Sequence, residues 1–393
     1  MYLFEYAEKD TVVYEGSATS SRNVGFDPIL EVRKDMSDGG GTKNISRVLI
    51  KFDLGEISSS ITDGVIPSDA KYYLNLYDAG SRELRRDDTI FAFPISASWS
   101  SSVSTWDEGD GRFDDNPEST QGCSWKYVDG DLARQQNKWV SGSSVEGPRW
   151  YSGSGVEHSL ESTASIGKHS DTHDVRFDVS GIVKNWIYSG STYVNHGFVV
   201  MRDGNFGATD TGSAEKDGID RGHLKFFSTE TNTIFPPRLE VEYDDSSFST
   251  GSLLPLTGSG LEDAVIYTKN LRETYMEKST PKIRIGARER FAERAVSTQS
   301  PYSTVKYLPS GSRDLKDGAY YSIKDADSDF TLVPFSTGSI ISCDSDGNYF
   351  KVDMDSFQVD RVYKFIFKVI SGSGTSEGFS NLYDDNFTFR VTK

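Results

Sequence analysis

Along residues 46–54, SRVLIKFDL, the apolar side chains of Val48, Ile50, Phe52 and Leu54 alternate with the polar Arg47, Lys51 and Asp53. A period of two sends successive side chains to opposite faces of an extended chain, so the spacing predicts a strand with one face in a core and the other in water, as in an antiparallel sandwich. The same ending recurs in VRFDVSGIVKNW at 175–186, where Val175, Phe177 and Val179 alternate. At Ser180 the period lengthens, and Ile182, Val183 and Trp186 make one apolar face of a short helix with Ser180 placed as its N-cap. The paired Phe-Asp endings are read as core strands of one sandwich: Phe52 and Phe177 point inward, and Asp53 and Asp178 face solvent or cap a loop.

Alternation predicts further strands at 10–14, 29–32, 70–77, 90–95, 197–201, 224–228 and 238–243, separated by Gly, Ser, Asn and Asp turns. Beyond them, strands are expected at 265–268, 282–285, 304–308, 320–324, 349–354, 362–370 and 386–391. In the strongest of these, Tyr363, Phe365, Phe367 and Val369 alternate with Lys364, Ile366, Lys368 and Ile370, and the partly apolar second face places it at the centre of a sheet. Between the halves the chain turns to DDSSFSTGSLLPLTGSGL, which is linker composition. The expectation is an all-β protein with an N-terminal jelly-roll β-sandwich at 1–245, a Gly/Ser-rich linker at 246–261 and a C-terminal immunoglobulin-like β-sandwich at 262–393, the last as one module or two small ones.

Composition narrows the function. A chain of 393 residues exceeds what one core usually organises. The net charge of −17 repels nucleic acid and anionic lipid, so neither is an expected partner. Cys123 and Cys343 lie far apart and read as free, buried thiols. With no basic, apolar leader pattern at the N-terminus and no long apolar run, synthesis in a reducing cytoplasm without a cleaved export signal is expected.

An ordered series in the first half resembles the DNRLRE-type jelly-roll domains related to carbohydrate-binding modules. The residues are Asp10–Tyr14, Asn23–Gly25, Leu30–Val32, Ser46–Leu54, Ala70–Tyr77, Trp99, Trp106–Asp107, Phe177–Ser180 with Trp186, Asn195–Phe198 and Pro237–Tyr243. The tryptophan-rich middle is longer than that pattern. The second half is similar to C-terminal modules of structural proteins of tailed bacteriophages, through Tyr307–Gly311, Tyr320–Asp325, Ser342–Phe350, Val362–Phe367 and Tyr383–Phe387. Together these resemblances imply a non-enzymatic virion structural protein, a tail, baseplate, neck or head-decoration component assembled in the host cytoplasm. Its partners would be other virion proteins and copies of itself. The alternative they imply is an adhesin holding host-surface polysaccharide.

Candidate chemistry is sparse. Asp53 and Asp178 would make a glycosidase pair only if they faced each other across a sugar, which spacing cannot establish. His169, His173 and upstream His158 have a metal-like spacing in a polar segment that reads more simply as a hydrated loop. Gly374–Gly378 matches G-x-S-x-G, but all five histidines precede Ser376, against the chain order of a nucleophile elbow. The loops at 344–348 and 325–329 lack the glycine placement of a calcium loop and read more simply as Asx turns, with a structural cation as the alternative. No cofactor or metal is expected. Trp106, Trp125 and Trp139 either stack on sugar faces or pack under a long loop, with packing favoured. Arg284, Arg288, Arg290 and Arg294 form a basic island that is either a solvated face or a subunit interface.

Overall fold

The alternating segments are strands in the computed structural model. It describes residues 1–16, 19–36, 43–97, 99, 103–113, 122–130, 137–140, 147–151, 160–189, 193–203, 214–215, 217–291, 305–372 and 378–393. Two units divide the chain: one comprises 5–66 and 71–240, the other 1–4, 67–70 and 241–393. The chain is all-β with sandwich architecture, as the period-two pattern predicted. No helix among the described residues is long and apolar enough to cross a membrane.

In chain order the first elements are β1 (Tyr2–Tyr6), β2 (Lys9–Tyr14), β3 (Ile29–Met36), β4 (Lys43–Lys51), α1 (Gly55–Thr62), β5 (Lys71–Leu76), β6 (Asp88–Pro94), β7 (Ser162–Ile166), β8 (Val175–Asp178), α2 (Ser180–Tyr188), β9 (Phe198–Arg202), β10 (Gly222–Phe227) and β11 (Arg238–Glu242). They form a four-stranded sheet, β1-β11-β5-β8, and a seven-stranded sheet, β10-β3-β4-β9-β6-β7, with β2 also paired to β4. Register places Val48 opposite Val12 and Val200, so one face of the larger sheet carries these valines with Ile50 and Phe198. On that face Phe198 meets Phe52 at 6.2 Å and Trp186 of α2 at 4.7 Å between ring centroids.

The opposite face of this sheet is not solvated. Val13, Ile45, Leu49, Phe93, Val199 and Met201 pack there with Trp99, Trp106, Trp125, Trp139, Trp150 and Cys123 in a second core. Arg47, expected to face water, points into this layer and is buried. The half-buried reading of 46–54 is therefore corrected: both faces of β4 are dry because the tryptophans of this second core cover the outer one.

The two Phe-Asp endings behave as expected. Phe52 and Phe177 are buried and both aspartates are exposed. Asp53 Oδ1 accepts the Gly55 amide at 2.9 Å and Asp178 Oδ1 accepts the Ser180 amide at 3.1 Å, each at the entrance to a helix. Ser180 is not the N-cap. It is the first residue of α2, preceded by Val179 in the cap position, and its hydroxyl bonds the Tyr72 amide of β5 at 2.9 Å.

The second unit continues with β12 (Leu254–Pro255), α3 (Ser259–Glu262), β13 (Ala264–Thr268), β14 (Thr274–Met276), β15 (Lys282–Glu289), β16 (Lys306–Tyr307), β17 (Gly318–Asp325), β18 (Thr331–Val333), β19 (Ser342–Asp344), β20 (Gly347–Lys351), β21 (Val362–Ser371) and β22 (Phe379–Thr392). One sheet is β12-β16-β15-β20-β19 with β13 on β15, and the other is β14-β22-β21-β17-β18. As its two-sided apolar pattern required, β21 is central. Ile283, Ile285 and Phe350 from the first sheet pack with Tyr321, Phe365, Phe367 and Phe389 from the second. Within 246–261, read as linker, the chain holds β12 and α3, and Leu256 and Leu261 are buried in this core.

Candidate functional site

The tryptophans singled out as sugar platforms are structural here. Trp106 and Trp139 have no exposed surface and Trp125 is 4% exposed, so no ring offers a face to a ligand. Their indole nitrogens serve the backbone: Trp106 donates to the His196 carbonyl and Trp139 to the Ser124 carbonyl, each at 2.8 Å. Arg47 lies between Trp125 and Trp150, its guanidinium 4.7 and 4.9 Å from their ring centroids. It bonds Glu215 with two nitrogens, at 3.1 and 2.6 Å. A buried charge needs such a partner, and cation–π contact adds to it.

Asn23 ties the cover to the sheet. Its Nδ2 donates to the carbonyls of Glu108 (2.5 Å) and Cys123 (3.0 Å), while Oδ1 accepts the amides of Gly111 (3.0 Å) and Gly25 (3.3 Å). Gly109 and Gly122 pass so close to Asn23 that a Cβ on either would fall within 2.4 Å of its side chain, and both have positive φ. Burial pushes the neighbouring Cys123 thiol well above its ordinary range, so it acts as a small apolar group.

An accessible concavity of this unit lies elsewhere among the described residues. A cleft of about 680 Å³ is lined by Arg86, Asp87, Thr89, Phe91, Ser165 and Arg221, among others. Half-buried Phe91 is stacked on Phe93, with centroids 5.6 Å apart and planes within 3°. Ion pairs hold two of its lining residues: Asp88 accepts Arg202 and, at 2.8 Å, Arg221, which also holds Asp217 at 2.5 Å. Arg86, Asp87 and Ser165 are exposed at its rim. Sequence reading missed this cleft because its aromatic ring sits in an ordinary strand and its polar groups come from the segment leading into β6, from β6 and β7, and from the residue before β10.

A second constellation joins Asp10 of β2, Glu108 and Glu230, whose carboxylate oxygens come within 4.8 Å of one another. Asp10 Oδ2 accepts the amide and hydroxyl of Thr229 at 2.9 and 3.0 Å, and its amide donates to Glu108 Oε1 at 2.7 Å. Burial above all, with Glu230 and Glu108 alongside, pushes the Asp10 carboxyl well above its usual range despite the Thr229 bonds. Burial, added to repulsion from Glu230 and Asp107, outweighs the Asp10 amide and raises Glu108 to about 7. Nothing in the sequence signals this group, since its members lie on three segments far apart in the chain.

The remaining candidates resolve locally. His169 is exposed, and His173 lies 3.5 Å from Asp78 and 3.2 Å from the Gly167 carbonyl. His158, Ser376 and Arg294 lie outside the described residues. Asp344 and Asp325 each accept amides two residues on, as Asx turns do. Arg284 pairs with Asp344 at 2.9 Å through both terminal nitrogens, while Arg288 reaches the Glu289 carbonyl at 3.1 Å and Arg290 is exposed. Hydrogen bonds from Arg284 and Lys282 hold Asp344 below the ordinary carboxylate range. Replacing Arg284 by alanine should cost about 1 kcal/mol or less in urea unfolding, the usual size for a partly exposed pair.

Among known families, the model for carbohydrate-binding module family 96 matches residues 2–142. That span runs from β1 through β6 and includes Trp99, Trp106, Trp125 and Trp139. The chain thus carries a carbohydrate-binding-module-like domain. No curated protein matches the chain.

Proposed function

We propose that the first unit is a non-catalytic carbohydrate-binding domain of the DNRLRE type and that polysaccharide lies in the cleft beside Phe91. The observation that carries the reading is the family match over residues 2–142. The cleft has suitable chemistry: an aromatic face for the C–H side of a sugar ring, with Arg86, Asp87 and Ser165 around it to exchange hydrogen bonds with hydroxyls. Affinity electrophoresis and calorimetry of the whole chain against cell-wall, capsular and algal polysaccharides should find at least one ligand. Phe91→Ala and Arg86→Ala should each weaken it at least tenfold while circular dichroism stays as in the wild type. Binding unchanged in both variants would remove the cleft from the reading, and no binding to any polysaccharide would remove the function.

A second reading makes the chain a virion structural protein assembled in the host cytoplasm, with its sugar-binding domain serving attachment. It is supported by the resemblance of residues 307–387 to phage structural modules, and by exposed Arg290 and Phe291 at the end of β15, residue types enriched at interfaces. Mass spectrometry of purified particles should find this chain in several copies. Its absence from every particle preparation would end this reading and leave the sugar-binding one standing.

A further inference from the structure

We propose that Asp10, Glu108 and Glu230 bind a calcium ion that ties the tryptophan-rich cover to the seven-stranded sheet. Three observations converge. The carboxylate oxygens lie within 4.8 Å of one another, which is the widest separation two ligands reach across an ion at a metal–oxygen distance of about 2.4 Å. Asp10 has no exposed surface, and its Oδ1 is buried with no hydrogen-bond partner among the described residues. Buried acceptors are normally satisfied, so an orphaned carboxylate oxygen beside two further carboxylates is a candidate ligand atom. The second Asp10 oxygen is fixed by Thr229, whose hydroxyl also meets Glu230 Oε2 at 3.0 Å, so the donors are oriented before an ion arrives.

The donor set selects the ion. All the side-chain ligands are carboxylate oxygens, which suit hard cations and not the nitrogen and sulfur preference of zinc. One donor is on a strand, one in an irregular loop and one in a turn, a mixed, adjustable arrangement that fits calcium's variable coordination better than magnesium's strict octahedron. Lys9 is the neighbouring cation acting on Glu108, but its ammonium is engaged by the Trp106 carbonyl and lies 4.4 Å from the Trp106 ring centroid. It leaves three carboxylates with little compensation.

The test uses the full chain, stripped with chelator and dialysed, in calcium chloride without any sugar. Equilibrium dialysis should give one calcium bound per chain, and the melting temperature should rise with calcium and less with magnesium. Glu230→Gln and Glu108→Gln, both isosteric, should each weaken calcium binding at least tenfold with near-ultraviolet dichroism unchanged. Asp346→Asn, in the acidic turn of the other unit, should bind as the wild type does. No calcium bound at millimolar free ion overturns the proposal. So does wild-type affinity in a folded Glu230→Gln chain, or loss of binding in Asp346→Asn.

Discussion

Replacing Trp106 by alanine should lower the unfolding free energy by about 3–5 kcal/mol, the usual cost of removing a large aromatic side chain from a packed core. The ring is fully buried in the second core and donates to the His196 carbonyl, so alanine leaves both a cavity and an unpaired acceptor. Trp106→Phe should fall between, keeping most of the apolar contact but orphaning the carbonyl. Urea unfolding followed by fluorescence of the remaining tryptophans measures both. The experiment also separates the two roles a tryptophan can have in a sugar-binding domain. A ring used for stacking on ligand could be removed with little loss of stability and a large loss of affinity, and that outcome would return Trp106 to the binding surface.

Arg47→Ala should be as damaging for an electrostatic reason. Glu215 has a side-chain exposure of 1% and its salt bridge is to Arg47, itself 6% exposed. Breaking a buried pair by removing one partner leaves an uncompensated charge in a dry interior, at a cost of about 3–5 kcal/mol. The stacking of the guanidinium between Trp125 and Trp150 and its bond to the Pro148 carbonyl at 3.1 Å are lost as well. Arg47→Lys should not rescue it, because an ammonium cannot make the two-nitrogen contact with Glu215 while lying flat between indoles. Arg47→Met combined with Glu215→Leu should recover much of the loss, since buried pairs are often replaceable by apolar groups of similar volume. A double-mutant cycle in urea tests this; strictly additive effects would mean that the two side chains do not act as a pair.

Both effects arise from one architectural fact, the burial of the seven-stranded sheet on two sides. In a simple antiparallel sandwich the outer face of β4 would be wet and Arg47 would be a surface residue. Here Trp99, Trp106, Cys123, Trp125, Val128, Trp139 and Trp150 form a layer over it, pinned by Asn23 and by indole bonds to backbone carbonyls. The proposed calcium site closes the same seam from the Asp10 side. The layer also explains why the ligand reading moves to Phe91. Phe91 packs at the margin of the second core, where the cover gives way to the open cleft.

Strands such as β2, β4, β5 and β21, the helix beginning at Ser180 and the paired Phe-Asp endings were written in local order, because side-chain direction follows from backbone period alone. Free buried cysteines and the all-β class followed from composition in the same way. What only the folded chain decided was coverage and convergence: that Arg47 lies under two indoles, that Asp10, Glu108 and Glu230 meet, and that an unremarkable phenylalanine opens onto a cleft. Each joins segments separated by scores of residues with no shared periodicity. Alternation can say which way a side chain points from its own strand, but whether water or another part of the chain waits there is a property of the packed whole.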